Sequence, residues 1–191
     1  MTKKVAILLN QGFEEAEVVI VIDVLRRLDI AVEILACQDR LETRSDRQIR
    51  MFADVLLERR MDTLYDAIVI PGGPQATIEM AENTQVVAFI RQHDRAAKLI
   101  CPLSSAAAHV LGSHQLLQGR RYVCSGDLHQ QVNDGEYVNA RVVEDGNLIS
   151  AQGPGAAFDF AFTLAYRLTG DSQTIQEHAG LMYYAGWQVP Q

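Results

Sequence analysis

The chain has 191 residues, of which 48% are hydrophobic and 21% charged, and its formal net charge at pH 7 is −7. This composition is typical of a globular protein with a substantial core, and the length predicts a single domain over residues 1–191. No apolar stretch approaches the roughly 18 residues of a membrane span, and the acidic charge argues against a nucleic-acid-binding protein. Cys37, Cys101 and Cys124 form no C-x-x-C pair, so we expect no disulfide framework, no metal site, no cofactor and a reducing, cytoplasmic location.

The chain opens with a βαβ pattern. Val5 to Leu9 predicts a buried strand, a helix follows from Gly12-Phe13-Glu14-Glu15-Ala16-Glu17, and Ile30 to Ala36 predicts the second strand. Acidic residues in the first turn of a helix favour its dipole, which is a purely structural explanation for these glutamates. Glu17, however, shares a helix face with the core-like Val21. A carboxylate points inward only when it is partnered or functional, so Glu17 is a candidate site residue.

A Gly-Gly pair follows the next predicted strand of the main sheet. Tyr65 to Ile70 is the strand, and Pro71-Gly72-Gly73-Pro74 comes directly after it. Adjacent glycines let the backbone approach a ligand and present an amide, although a tight strand-to-helix turn also requires glycine. Between the second strand and this one, only a short strand around Ile49 to Ala53 is indicated.

The segment that most resembles a catalytic motif is a strand that passes straight into a helix. Leu99 to Leu103 predicts the strand and Ala106 to Leu111 the helix, so Ser104 lies at the apex of a nucleophile elbow. Ser105 would present an N–H at the helix N-terminus, where an anion is stabilised. The alternative is that Ser104 or Ser105 is an ordinary helix N-cap, since serine is among the best capping residues.

The last third of the chain completes the pattern of strands and helices. We expect a strand over Tyr122 to Ser125, a hairpin joining Val138 to Val143 with Leu148 to Ala151, and a helix after Gly153 that stops at Gly170. Aromatic residues in the tail, up to Trp187, would cap the core or form a dimer contact. Together these elements predict an α/β fold with an open, mostly parallel sheet covered by helices on both faces. In such sheets the ligand site lies at the carboxyl ends of the strands.

In this order and spacing, the segments resemble the ThiJ/PfpI superfamily, in particular the branch of the parkinsonism-associated protein deglycase. The similar segments are the Gly12 to Glu17 run, Asp23-Val24-Leu25-Arg26-Arg27, Tyr65 to Gly73, the elbow, and Ser150-Ala151-Gln152-Gly153-Pro154-Gly155-Ala156-Ala157. The resemblance implies a flavodoxin-like homodimer active in stress response or as a chaperone. It also implies a site with Ser104 at the nucleophile position and Glu17 as a protonated carboxyl. The oxyanion or substrate-binding positions of that site are Gly72, Gly73 and Ser105.

The chain departs from the family pattern at the nucleophile. The resemblance implies a cysteine where this chain has Ser104, and the Ser125-Gly126-Asp127 region lacks the family's partner histidine. Cys101 lies inside the strand, and His109 is read as a helix-surface or packed residue. A serine needs an adjacent base, whereas a cysteine ionises near neutral pH.

Whether the chain is an enzyme is therefore open. The first hypothesis is a binding or protein-protection role without thiol-dependent deglycase, glyoxalase or peroxide-sensing activity. The second is a serine-dependent hydrolase or hydratase-like enzyme acting on small carbonyl compounds, with Glu17 as base. A role near thiamine precursor metabolism is a minor third idea. A Glu17 pKa near or above neutrality would favour the first hypothesis over the second.

Overall fold

A computed structural model describes residues 2–189 of the chain. Its centre is a seven-stranded sheet made of β1 (Lys4–Leu9), β2 (Ala31–Ala36), β5 (Val55–Leu56), β6 (Ala67–Ile70), β7 (Leu99–Pro102), β10 (Val142–Asp145) and β11 (Leu148–Ala151). The strand order across the sheet is β10-β11-β7-β6-β1-β2-β5, and β10 alone runs antiparallel to its neighbour. The predicted open, mostly parallel α/β sheet is confirmed.

Helices cover both faces of the sheet. They are α1 (Glu15–Arg27), α2 (Pro74–Glu82), α3 (Thr84–Arg95), α4 (Ala157–Thr169) and α5 (Ser172–Leu181). Right-handed crossovers put α1 and the α2–α3 pair on opposite faces, because β1 to β2 and β6 to β7 step in opposite directions along the sheet. α4 packs beside α1. No helix within residues 2–189 combines the length and apolarity needed to cross a membrane.

The helix ends follow the local sequence. The Glu14 side chain accepts the Ala16 N–H at the start of α1, while Arg26 and Arg27 lie in its last turn, where cations favour the helix dipole. α4 stops at Gly170, whose φ of +71° is left-handed, as expected for a glycine at a helix end. These short-range signals explain why the helix boundaries were predictable.

The register of the parallel strands determines which loops meet. Ile7 pairs with Val69, and Val69 pairs with Cys101, so these residues lie at one level of the sheet. Three residues further along each strand come Asn10, Gly72 and Ser104. The carboxyl ends of β1, β6 and β7 therefore bring the Gly12 to Glu17 segment, the Gly-Gly pair and the elbow to one crevice, as predicted.

Two small two-stranded ladders lie outside the main sheet, one parallel and one antiparallel. The parallel ladder shows that one predicted strand is shorter than expected. The expected strand over Tyr122 to Ser125 is only β8 (Arg121–Tyr122), which pairs in parallel with β9 (Glu136–Tyr137). The Val123 N–H instead donates to the Ser150 side chain, so the chain leaves the strand after two residues. The other ladder joins β3 (Glu42–Arg44) to β4 (Arg50–Phe52) and contains the short strand expected near Ile49.

The aromatic tail caps the core. The Tyr184 ring stacks on Phe158 and Phe162, and Trp187, which is 7% exposed, packs against Phe162 and Tyr166. Of the two roles expected for these residues, capping the core and forming a dimer contact, this packing agrees with the first. Tyr183, by contrast, is almost fully exposed.

Candidate active site

Ser104 lies at the apex of a sharp turn that is held from both sides. Its φ is +55°, a left-handed conformation that is uncommon for residues other than glycine. The Ser104 N–H donates to the Ala151 carbonyl oxygen over 2.9 Å, and the Ser104 carbonyl oxygen accepts the Ser125 N–H over 3.2 Å. The strained turn is thus fixed by β11 and by the segment after β8, and Ser104 is nearly buried.

The serines of the elbow are not side-chain caps of the following helix. That helix spans Ala107–Leu111, has the wider turn of a π-helix, and is preceded by Ala106. The Ser105 hydroxyl bonds to the Thr77 hydroxyl instead of to a backbone N–H. The capping alternative is therefore wrong, and single π-turns of this kind occur frequently at functional sites.

Glu17 points into the interior beside the elbow and has no solvent exposure. Its Oε2 accepts the Gly72 N–H over 2.7 Å, while its Oε1 has no hydrogen-bond partner among residues 2–189. Burial raises the pKa of Glu17 from 4.5 to about 7; the Gly72 N–H and the Ser104 hydroxyl lower this pKa, and the Glu14 charge raises it. Below neutral pH the carboxyl is therefore mostly protonated and has an O–H to donate.

Gly72 lies between the two site side chains. A Cβ added there would overlap the Ser104 Cβ and lie 2.9 Å from Glu17 Oε2 and 3.0 Å from Ser104 Oγ. Only glycine fits, because any side chain would occupy the space shared by Ser104 and Glu17. The Gly72 N–H is already bonded to Glu17, so Gly72 is corrected from an oxyanion donor to a residue that orients the carboxyl.

The two remaining amides are free. Gly73 has a φ of +110°, and a Cβ there would overlap the Gly12 carbonyl oxygen, so this position also requires glycine. Within residues 2–189 neither the Gly73 N–H nor the Ser105 N–H donates to another protein group. Both follow strand ends that lie side by side, which makes them the candidate oxyanion donors.

Residues 3–167 match the DJ-1/PfpI family. The chain belongs to this family. It is 32% identical over 184 residues to the protein dj-1beta of Drosophila melanogaster, with 95% of this chain and 98% of the fly protein covered. It is 30% identical over 175 residues to DJ-1 homolog B of Arabidopsis thaliana, where the match covers 92% of this chain but only 40% of the plant protein.

Two further DJ-1/PfpI comparisons bear on the fold and the chemistry. A crystal structure of a DJ-1 superfamily protein from Salmonella typhimurium, a cysteine-to-alanine mutant, superposes with a TM-score of 0.95 and is 56% identical, covering 96% of this chain and 99% of the other. The glutathione-independent glyoxalase DJR-1.2 of Caenorhabditis elegans is 29% identical over 163 residues, covering 84% of this chain and 86% of the glyoxalase. The flavodoxin-like fold expected from the resemblance is thereby confirmed.

Within residues 2–189 of this DJ-1/PfpI chain, no histidine is hydrogen-bonded to Ser104. Each of its five histidines has its hydrogen bond elsewhere: His93 with Tyr65 and Phe89, His109 with Thr77, His114 with Ala81, His129 with Gly126, and His178 with Thr174. His109 is half-buried, and burial lowers its pKa. The expectation that His109 is a packed residue rather than the base for Ser104 is consistent with this contact.

The three cysteines lie in surroundings that disfavour the thiolate. All three thiols are free and buried. Burial raises the pKa of Cys37 to about 12 and of Cys124 to about 11, and it raises the pKa of Cys101 further still. A reactive cysteine needs a lowered pKa and access to solvent, so none of the three is set up for thiolate chemistry at neutral pH. Nor do residues 2–189 contain three or more His, Cys, Asp or Glu placed to hold a metal ion.

Sequence reasoning missed two site neighbours. Thr77 bonds to Ser105 and to His109 from α2, and Gly153 passes so close that a Cβ there would lie 3.8 Å from Ser104 Oγ. Thr77 follows Gly73 by four residues, one helical turn, and this spacing is the signal that could have identified it. Gly153 had no comparable local signal, because its position depends on the bridge between Leu103 and Ala151.

Proposed function

We propose that this DJ-1/PfpI chain binds a small carbonyl-containing ligand in the Ser104 crevice and has no thiol-dependent deglycase, glyoxalase or peroxide-sensing activity. The observation that carries the proposal is the elbow itself: a serine occupies the apex, and within residues 2–189 every histidine hydrogen bond goes to a group other than Ser104. A serine hydroxyl without a base is a poor nucleophile. It is still a good hydrogen-bonding group for a bound ligand.

The ligand class follows from the polarity of the crevice. The Gly73 and Ser105 N–H groups are donors, and protonated Glu17 adds an O–H. A site made mainly of donors accommodates an acceptor oxygen, which supports a carbonyl or carboxylate oxygen as the recognised group.

A second candidate is a serine-dependent hydrolase or hydratase-like enzyme. The Glu17 pKa of about 7 favours the binding role, and the observation on the side of the hydrolase is that the Ser104 hydroxyl lies beside Glu17 and lowers its pKa. Above neutral pH the ionised carboxylate could accept the Ser104 proton. Ser104 would then attack a carbonyl carbon, and the developing oxyanion would bind the Gly73 and Ser105 amides. This enzyme would be active only above neutral pH, whereas carbonyl binding through a protonated Glu17 would weaken there.

The deciding experiment measures turnover of methylglyoxal and of activated small esters by the wild type, Ser104→Ala and Ser104→Cys. Our proposal expects the wild type to match Ser104→Ala, with Ser104→Cys gaining activity because a thiol needs less help to ionise. If the wild type turns over a substrate and Ser104→Ala abolishes that turnover, Ser104 is a working nucleophile and the hydrolase candidate replaces the binding role.

We further propose that the chain is a homodimer. Val19 on α1, together with Ile49 and Phe52 of the β3–β4 hairpin, is more than half exposed. The hairpin is attached to the start of α1 through the Arg47 N–H, which donates to the Glu15 carboxylate. These side chains supply an apolar surface suited to a second copy of the chain. Sedimentation of the wild type and of Phe52→Glu tests this, with a monomeric wild type as the contrary result.

A cytoplasmic role in stress response, as a binding or chaperone-like protector of other proteins, completes the proposal. The three free thiols support a reducing compartment. A protection role predicts that the wild type suppresses heat aggregation of a client enzyme such as citrate synthase. Equal aggregation with and without the protein would contradict the protection role and leave the ligand-binding role standing.

A further inference from the structure

The Thr77 hydroxyl is the centre of a buried hydrogen-bond cluster behind the crevice. Its Oγ1 lies 2.9 Å from the Gly73 carbonyl oxygen, 2.9 Å from Ser105 Oγ and 2.9 Å from His109 Nδ1. Thr77 has no solvent exposure and Ser105 is 5% exposed. We call these four residues the Thr77 hub.

The chemistry of the hub allows one arrangement of protons. A hydroxyl has a single proton to donate, and the Gly73 carbonyl oxygen has none, so the Thr77 proton belongs on the bond to Gly73. Thr77 Oγ1 must then accept from both other partners. The Ser105 hydroxyl donates to Thr77, and neutral His109 carries its proton on Nδ1.

This arrangement connects the two residues whose amides are free. The Gly73 carbonyl oxygen accepts both the backbone N–H of Thr77, over 3.0 Å, and its hydroxyl, and the same hydroxyl oxygen holds the Ser105 side chain. We propose that the Thr77 hub is a positioning device that sets the Gly73 and Ser105 N–H groups at the spacing needed to bind one ligand oxygen. The inference rests on the carbonyl-binding role proposed above and adds Thr77 and His109 as positioning residues.

The partners of Thr77 require its polarity. Valine has nearly the shape of threonine, but it would leave the Ser105 hydroxyl and His109 Nδ1 without the oxygen that they share. The hub uses three donors and acceptors at good distances around one atom, and such satisfied networks specify a single geometry. Because a small misplacement of oxyanion donors costs binding, rigidity at this point has a direct consequence for the ligand.

His109 is the outer member of the hub. Its ring lies at an open cavity of about 250 Å³ that is also lined by Ile78, Glu82 and Gln131. With Nδ1–H donating to Thr77, protonation at Nε2 leaves the hub intact. The hub therefore predicts amide positions that do not change as His109 titrates.

The test compares Thr77→Val, which removes the hydroxyl, with Thr77→Ser, which restores it. Two-dimensional NMR follows the Gly73 and Ser105 amides in the ligand-free proteins, and titration with pyruvate, a small compound that carries both a ketone and a carboxylate oxygen, gives a dissociation constant. We expect Thr77→Val to shift both amide resonances and weaken pyruvate binding about tenfold, as for loss of one well-placed hydrogen bond. Thr77→Ser should remain close to the wild type. Thr163→Val, which changes a buried threonine of α4, is the control and should leave both amides unchanged.

Three results would contradict the proposed positioning role of the Thr77 hub. They are unchanged amide resonances in a folded Thr77→Val, a Thr77→Ser protein that behaves like Thr77→Val, and a His109 ring whose long-range ¹⁵N spectrum shows the neutral proton on Nε2. The spectra of the ligand-free proteins test the positioning role of the Thr77 hub independently of the proposed carbonyl binding. If the wild type binds no pyruvate, the carbonyl-binding role is contradicted while the hub is still decided by the amide and imidazole signals.

Discussion

Replacing Glu17 by glutamine should give a protein whose stability relative to the wild type increases from about pH 4.5 to about pH 7 and stays constant above that. The unfolded chain ionises Glu17 near pH 4.5, whereas burial raises the pKa in the folded state to about 7. Between these values the unfolded state loses the proton before the folded state does. The free energy of unfolding of the wild type therefore falls as pH rises from 4.5 to 7, and this contribution is constant above pH 7.

The size of the effect follows from the two pKa values. At 1.36 kcal/mol per pKa unit, the ionisation of Glu17 removes about 3 kcal/mol of stability above pH 7. Glutamine can still accept the Gly72 N–H and carries no charge to bury. From pH 5 to pH 8 the stability difference should therefore move in favour of Glu17→Gln by about 2.5 kcal/mol, or slightly more than about 1 M in a urea midpoint.

Urea unfolding of both proteins at pH 5, 6, 7 and 8 checks this. Comparing the two proteins cancels other titrating groups, such as Glu33, whose pKa the Arg60 guanidinium lowers to about 2. Glu58→Gln, which removes an exposed carboxylate outside the site, measures the effect of losing one charge. A constant difference between wild type and Glu17→Gln across this range would refute the argument, because it would mean that Glu17 ionises alike in the folded and unfolded chain.

Three further changes test the packing around the site and the core. Gly72→Ala should lower the free energy of unfolding by about 1–3 kcal/mol, because the added methyl group overpacks the site, and it should abolish ligand binding. In the control Gly180→Ala, the added Cβ meets no atom within 4 Å, so the thermal unfolding midpoint should not fall. Arg120→Leu leaves the nearly buried Asp94 carboxylate without the guanidinium 3.0 Å away, and it should lower the free energy of unfolding in urea by about 3–5 kcal/mol. Adding Asp94→Leu should recover part of this loss. Equal stability of the wild type and Arg120→Leu would contradict the prediction. Trp187→Ala should cost about 3–5 kcal/mol if the tail caps the core, and an unchanged unfolding midpoint would show that it does not.

Much of the site could be predicted because its parts sit at the ends of strongly patterned elements. The apolar run before Ser104 and the alanines after it indicate a strand-to-helix turn, and Glu17 was expected to point inward from its helical spacing to Val21. Both are confirmed by the structure. The prediction of a strand over Tyr122 to Ser125 was wrong, because the Val123 N–H donates to the Ser150 side chain and not to a neighbouring strand. This contact joins segments that are distant in sequence.

The sequence by itself determined the order of strands and helices, the crevice where their loops meet, and the residue types in it. Hydrophobic period, glycine pairs and helix-end residues act over a few positions, so a reader of the sequence can see them. Only the tertiary structure decided which hydrogen bonds these residues make. The Gly72 N–H donates to Glu17, the Gly73 and Ser105 N–H groups have no protein acceptor within residues 2–189, and the Thr77 hydroxyl bonds to both Gly73 and Ser105. Each of these is a hydrogen bond, whose formation depends on a few tenths of an ångström between groups brought together by the fold.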